Sequence, residues 1–339
     1  MNVKTIKTKE GDSIVYLNEV LSNLPHYVPD KRSIIIADKT VKELYERSFP
    51  DFEIVEIHAN ERMKTLDTVE SIYEIFLDAE IDRHCRVIGI GGGITCDIAG
   101  FVASTYMRGL PFSFVPTTLL AQVDAAIGGK NGVNYRRYKN MIGTINQPDF
   151  VLVDYEFLKT LPLREIKNGL SELIKTAIIG SENLFDHLEN NIDSILALDK
   201  KVVHRAVSEA ARIKLQIVSK DEFEADERRK LNFGHTFGHA IEANLSFSHG
   251  EAVSIGMDIA VDMSVDRGML RNDQGERIKR LISDYGLRQR TDIKTESIFE
   301  AMRKDKKRSG KNVKFVLLNE IGSAEIVDIP LLELKSVNI

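Results

Sequence analysis

The sequence predicts an α/β N-terminal domain built on a Rossmann-like parallel sheet, followed by a mainly α-helical C-terminal domain. Three observations carry that expectation. Up to about residue 155, short β-branched runs alternate with helical patterns, the mark of parallel strands joined by helices. Beyond Thr160 the apolar spacing changes to the period of long amphipathic helices. A length of 339 residues exceeds what one hydrophobic core usually serves, which favours two domains, at 1–155 and 156–339.

The elements follow in order. Ser33–Ala37 (SIIIA), Phe52–Ile57 (FEIVEI), Arg86–Ile90 (RVIGI), Phe112–Val115 (FSFV) and Phe150–Val153 (FVLV) are short, apolar runs that suit a pleated surface. A helix begins near Pro162 and ends at Gly180, with Ile166, Leu170, Leu173, Ile174, Ala177 and Ile178 on one apolar stripe. Near the C-terminus, VKFVLL and NEIGSAEIV bring strand-forming runs to either side of a glycine and read as a hairpin.

Composition excludes several classes. Hydrophobic residues make up 43% and charged residues 29%, with only 8 prolines, so the chain folds rather than staying disordered. The 46 basic and 51 acidic side chains leave a net charge of −5 spread along the chain, which argues against nucleic-acid binding through a basic surface. Cys85 and Cys96 are too few for a disulfide framework and lack CxxC spacing, so two buried thiols in a reducing cytosol are expected. No apolar run is long enough to span a membrane, and MNVKTIKTKEGDS lacks the apolar stretch of a secretory signal, so a cytoplasmic protein is expected.

Five segments carry residues suited to chemistry. GIGGGITCD, residues 89–97, sets glycines directly after an apolar strand, where backbone N–H groups can approach a pyrophosphate at a helix N-terminus. The GxGxxG pattern fails at Ile94, so nucleotide binding and a tight strand-to-helix turn both stand open. Residues 117–140 add a glycine pair before Lys130, with Lys139 and Asn140 behind it, as either a phosphate-binding loop or a solvated basic loop.

In NFGHTFGHAIE, His235 and His239 stand four residues apart, hence one above the other on a helix, with Phe233, Phe237 and Ile241 on the opposite face. Gly234 and Gly238 each cost roughly 1 kcal/mol against Ala inside a helix, which implies a close approach to that backbone. His249 follows in SHGEAV. Glu172 and Lys175 lie three apart, opposite the apolar stripe, either as a surface ion pair or as part of a site. Two histidines and one carboxylate form a set able to bind Zn²⁺ or a similar ion with positions left open.

Taken together, GGGITCD, MRG (107–109), PTTLLAQVD (116–124), GGK (128–130), KNMIG (139–143), SELIK (171–175), LNFGHTFGHAIE (231–242) and HGEAV (249–253) resemble the 3-dehydroquinate synthases of the sugar-phosphate cyclase family. The match keeps the family's order over most of the chain. It implies a C-terminal domain that holds a divalent metal, Zn²⁺ or Co²⁺, on Glu172, His235 and His249. It implies NAD bound by Asp38, Glu61, Lys64, Gly92, Gly93, Asp97, Thr117, Thr118, Lys130, Lys139 and Thr160. Substrate handling would fall to Arg108, Asp124, Lys130, Asn140, Lys175, Lys214, Arg228, Asn232 and His239, joined by Lys306 or Lys307.

The reaction so implied converts a seven-carbon keto-acid sugar phosphate, DAHP, to 3-dehydroquinate and phosphate, on the shikimate route to aromatic amino acids. The resemblance also implies a homodimer with Arg108 reaching the neighbour's site. Arg228 carries the choice of substrate, because its guanidinium can grip a carboxylate that glucose 6-phosphate and sedoheptulose 7-phosphate lack. The chain departs from the family at Asn60, Cys96 and Tyr138, where glycine is usual, and at Asn131, where threonine is common. The competing readings are a metal-dependent polyol dehydrogenase that releases NADH and a non-catalytic NAD or metal sensor. The first lacks the joint pattern of KN, Arg228 and Asn232, and the second has no need of Glu172, Lys175, Lys214 and His239.

Overall fold

The computed structural model describes residues 2–7, 12–28, 32–136, 138–244, 247–287 and 312–336, and the statements below concern these. Two units form. One comprises Met1–Pro162 with Lys214–Phe223, the other Leu163–Ile213 with Glu224–Ile339.

The first unit contains β1 (Asn2–Lys7), β2 (Asp12–Leu17), β3 (Ser33–Asp38), β4 (Glu53–Ile57), β5 (Arg86–Gly91), β6 (Phe112–Pro116), β7 (Lys130–Tyr135), β8 (Tyr138–Ile145) and β9 (Phe150–Val153). A seven-stranded sheet runs β1-β2-β9-β6-β5-β3-β4, parallel except for the antiparallel pair β1–β2. Strands β5, β6 and β9 are buried at every residue, as expected for a parallel sheet covered on both faces. Ala37 faces Ile90 and Ile90 faces Val115, so the C-terminal ends of β3, β5 and β6 lie level. From β3 the chain passes to β4 on one side and returns to β5 on the other. That reversal is a topological switch point, where open α/β sheets bind ligands.

Helices α1 (Leu24–Tyr27), α2 (Lys39–Tyr45), α3 (Leu66–Asp78) and α4 (Gly93–Thr105) complete the unit. In α3, Thr65 caps the first turn through its side chain, and Val69, Ile72 and Phe76 bury one stripe. Helix α4 is buried nearly all round, from Thr95 to Ala103 except Asp97.

All five expected strands form, with ends shifted by at most a residue. Two features differ from the expectation. The N-terminal segment supplies β1 and β2, and residues 130–145 form the β7–β8 hairpin where a loop was expected. The hairpin's turn carries neither glycine nor proline; Arg136 takes the left-handed conformation at φ 55°. Gly132 pairs with Gly143, and a Cβ on Gly132 would lie 2.7 Å from the Ile142 carbonyl oxygen.

The second unit holds α5 (Leu163–Gly180), α6 (Glu182–Glu189), α7 (Ile192–Leu196), most of α8 (Lys200–Lys220), α9 (His235–Asn244), α10 (His249–Asp266), α11 (Asn272–Asp284) and the hairpin β10 (Asn312–Glu320) with β11 (Ser323–Pro330). Helix α5 is enclosed, with every residue from Asn168 to Ile179 buried. Of the two readings open for Glu172 and Lys175, the surface ion pair is therefore set aside, since both side chains are enclosed. Gly234 lies before α9 at φ 76° rather than inside the helix. The close approach expected at these glycines comes from α10, whose Val253 Cα would be 3.1 Å from a Cβ on Gly238. Among the described residues, no helix is long and apolar enough to cross a membrane.

Candidate active site

In the first unit Asp38, Gly92, Gly93, Thr117 and Thr118, all expected to hold NAD, stand at or just beyond the C-terminal ends of β3, β5 and β6. Asp38 ends β3 and caps α2, its carboxylate accepting from Val41 N at 3.2 Å. Gly92 is the N-cap of α4 and brings no side chain to the helix N-terminus, which leaves room there for a phosphate. A Cβ on Gly92 would lie 2.9 Å from Thr118 Cγ2, and one on Gly93 would lie 3.1 Å from Ala125 Cβ. Thr117 N donates to the Gly91 carbonyl, and Thr118 Oγ1 accepts from Ala121 N. These glycines thus serve close packing while leaving the helix N-terminus without a side-chain cap.

A polar network ties this turn to the hairpin. Buried Lys64 pairs with Asp97 on α4 and donates to Asn140 Oδ1 at 2.5 Å. Burial pushes the Asp97 carboxyl above its ordinary value, against the pull of Lys64. Asn140, at φ 51°, donates its backbone N–H to Asn134, whose amide donates to Glu61. Lys139 stands 3.8 Å from Glu61. Asn140, expected beside the substrate, is thus bonded to Lys64, expected beside NAD. Asn60 caps the turn holding Glu61, accepting from Arg62 N and Met63 N, which accounts for its presence instead of glycine. Cys96 is buried with its sulfur toward the Gly91 carbonyl, and burial raises its thiol. Tyr138 pairs with Tyr135 across the hairpin turn.

Asp124 sits in a π-helical turn, Ala121–Ala125, and its carboxylate pairs with buried Lys214. Such turns recur at functional positions. Lys130 is exposed at the start of β7, and Thr160 is exposed with its hydroxyl 2.8 Å from Tyr45 Oη. Arg108 is exposed on a turn where Met107 and Arg108 hold φ 48° and 69°, a conformation that costs non-glycine residues energy and recurs at functional sites.

In the second unit, residues distant in sequence converge. Glu172 comes from the middle of α5, His235 from the first residue of α9 and His249 from the first residue of α10. One ligand atom from each lies within 4.8 Å of the others. His235 Nε2 is 3.5 Å and His249 Nε2 3.2 Å from Glu172 Oε1, while Lys175 Nζ is 2.5 Å from Oε2. His235 Nδ1 donates to the Phe233 carbonyl at 3.1 Å, which turns Nε2 toward the carboxylate. One oxygen from a buried carboxylate and nitrogens from two half-buried imidazoles suit a borderline divalent ion such as Zn²⁺ or Co²⁺, with positions left for substrate.

Burial and charge act differently on the three groups. Burial pushes the Glu172 carboxyl up, but Lys175 and the two histidines outweigh it and hold it well below the usual range. Burial brings His235 down to about 3, against the pull of Glu172. His249 also meets a burial penalty, which its contacts with Glu172 and Glu242 overcome, raising it to about 10.

His239 lies one turn beyond His235, exposed, with ring centroids 5.2 Å apart. Arg228 is only 2% exposed, in the 3₁₀ turn Glu227–Asn232 that also carries Asn232. Asn232 donates to Glu224 Oε1 at 2.6 Å. Glu224, at φ 60°, went unnoticed in the sequence, because a left-handed non-glycine residue leaves no local signal. Glu242 was also missed as a partner of His249, though its place seven residues after His235 puts it on the same helix face. Lys306 and Lys307 lie outside the described residues.

Comparison with known proteins gives one answer for both parts of the chain. Residues 54–168 match the family model described as 3-dehydroquinate synthase N-terminal, and residues 169–308 the one described as 3-dehydroquinate synthase C-terminal. A 3-dehydroquinate synthase from Halorhodospira halophila is 44% identical over 309 residues, covering 89% of this chain and 87% of the relative. Among solved structures, 2-epi-5-epi-valiolone synthase from Streptomyces hygroscopicus subsp. jinggangensis with NAD⁺ and Zn²⁺ bound is similar at TM-score 0.88 and 29% identity, over 99% of this chain and 98% of that one. A 2-deoxy-scyllo-inosose synthase complexed with carbaglucose-6-phosphate, NAD⁺ and Co²⁺ follows at TM-score 0.87 and 26% identity, over 99% of both chains. On these matches, the chain belongs to the 3-dehydroquinate synthase family.

Proposed function

We infer that this chain converts DAHP to 3-dehydroquinate and phosphate, as an NAD- and metal-dependent carbon–oxygen lyase of the shikimate pathway. The observation that carries the reading is the gathering of Glu172, His235 and His249 around one point, with Lys175 on the same carboxylate. Its 44% identity to a 3-dehydroquinate synthase, against 29% and 26% to the other two cyclases, favours this substrate over theirs.

Glu172, His235 and His249 would hold the ion. Asp38, Glu61, Lys64, Gly92, Gly93, Asp97, Thr117, Thr118, Lys130, Lys139 and Thr160 would hold NAD. When bound, the ion polarises the reacting alcohol and NAD takes up and returns a hydride. The chain's own side chains do the rest. Lys175 beside Glu172, and Lys214 paired with Asp124, orient hydroxyls and move protons. Lys130, Asn140, Asn232 and His239 stabilise the departing phosphate, joined by Lys306 or Lys307. Arg228 grips the substrate carboxylate, and its burial strengthens that grip by excluding water.

The protein is read further as a cytoplasmic homodimer in which Arg108 reaches the partner's site; its exposure on a strained turn supports that role. Two free buried cysteines accord with a reducing compartment. The test is phosphate release from DAHP by metal-replete protein with and without a chelator, followed at 340 nm as well. Release that the chelator abolishes, with no net NADH, is expected. No release by the replete protein overturns the reading, and NADH accumulating with a polyol would favour the dehydrogenase.

A further inference from the structure

We propose that Glu242 is a positioning residue for the metal centre, holding His249 by Nδ1 so that Nε2 faces Glu172. The inference rests on reading Glu172, His235 and His249 as the metal ligands. Its basis is an asymmetry between the two imidazoles. His235 is fixed by a backbone carbonyl, its Nδ1 donating to Phe233 at 3.1 Å. His249 has a carboxylate in that place, with Glu242 Oε2 3.5 Å from Nδ1 while Nε2 lies 3.2 Å from Glu172 Oε1.

Glu242 is outside the ligand set, because it meets the ring edge opposite the one turned to Glu172. Its origin on α9 gives the contact a second meaning. His235 and Glu242 are seven residues apart, two turns along one face, so the helix that donates one ligand also orients the other. The Glu242 side chain is 13% exposed, which limits competition from water for Nδ1. A carboxylate on the outer nitrogen fixes tautomer and ring plane and raises ligand basicity.

The experiment is a titration of chelator-treated apoprotein with Co²⁺ alone, read from its visible absorption and by competition with a chromophoric chelator. Glu242→Ala is expected to weaken Co²⁺ binding about 10–100-fold, the range for lost outer partners of metal ligands. Glu242→Gln, which keeps an acceptor oxygen, should weaken it less, and both apoproteins should melt with the wild type. In a His249→Ala background, Glu242→Ala should cause no further loss, as two residues acting through one contact require.

Affinities within twofold of wild type for both variants overturn the proposal and leave the metal reading standing. A further full loss in the His249→Ala background also overturns it, since Glu242 would then act on its own. If Glu242→Ala fails to fold, Glu242→Gln decides the matter by the same twofold criterion. No saturable Co²⁺ uptake by the wild type would sink the metal reading itself.

Discussion

Glu172–Lys175 and Glu156–Lys159 are alike on paper: each pair is three residues apart, with Nζ 2.5 Å from a carboxylate oxygen. Their surroundings differ. The side chains of Lys175 and Glu172 are 2% and 0% exposed, those of Lys159 and Glu156 66% and 42%. Water and salt screen the second pair, whereas the first has exchanged its hydration for two histidines and for each other. Equal spacing and equal distance thus describe a surface decoration in one place and an enclosed pair beside two histidines in the other. Enclosure decides which.

The largest effect should come from Glu172→Ala. Metal content should fall to background and phosphate release by roughly 1,000-fold or more, about 4 kcal/mol on the barrier, while NAD binding measured by calorimetry persists. Retained metal would break the comparison at its stronger end. Next, Arg228→Ala should lower kcat/KM for DAHP by about 100-fold, the scale of a lost charge-assisted contact. Arg271→Ala, at a side chain 72% exposed, should leave kcat/KM unchanged; equal losses would remove burial as the deciding variable.

Gly92→Ala tests the other site. Its methyl would press on Thr118 Cγ2 at 2.9 Å, and overpacking of that kind costs about 1–3 kcal/mol. NAD affinity should fall about tenfold with Co²⁺ affinity intact, as judged by paired titrations. The smallest effect belongs to Lys159→Ala, whose melting temperature and steady-state rates should match the wild type within error. A clear loss there would show that exposed pairs in this chain are undervalued.

Much of the fold was readable because its signals are local. Continuous apolar runs marked β3, β5, β6 and β9, and the glycines after β5 marked the turn into α4. The β7–β8 hairpin escaped because Arg136 makes a turn usually left to glycine or asparagine. On α5, periodicity assigned Glu172 and Lys175 a polar face, but periodicity does not say whether that face meets water or other helices. Residue types suggested two histidines and a carboxylate, but the choice of Glu172, His235 and His249 came from family resemblance, since Glu172 and His249 are 77 residues apart and no local pattern announces their meeting.

Helices α9 and α10 meet across Gly234, Gly238 and Gly256. A Cβ on Gly256 would lie 2.9 Å from the Gly234 carbonyl carbon, immediately before His235. The span separating two imidazole donors is therefore ruled by a side chain that does not exist. Anyone ranking harmful substitutions in this chain should place a single methyl at position 256 beside the loss of an imidazole.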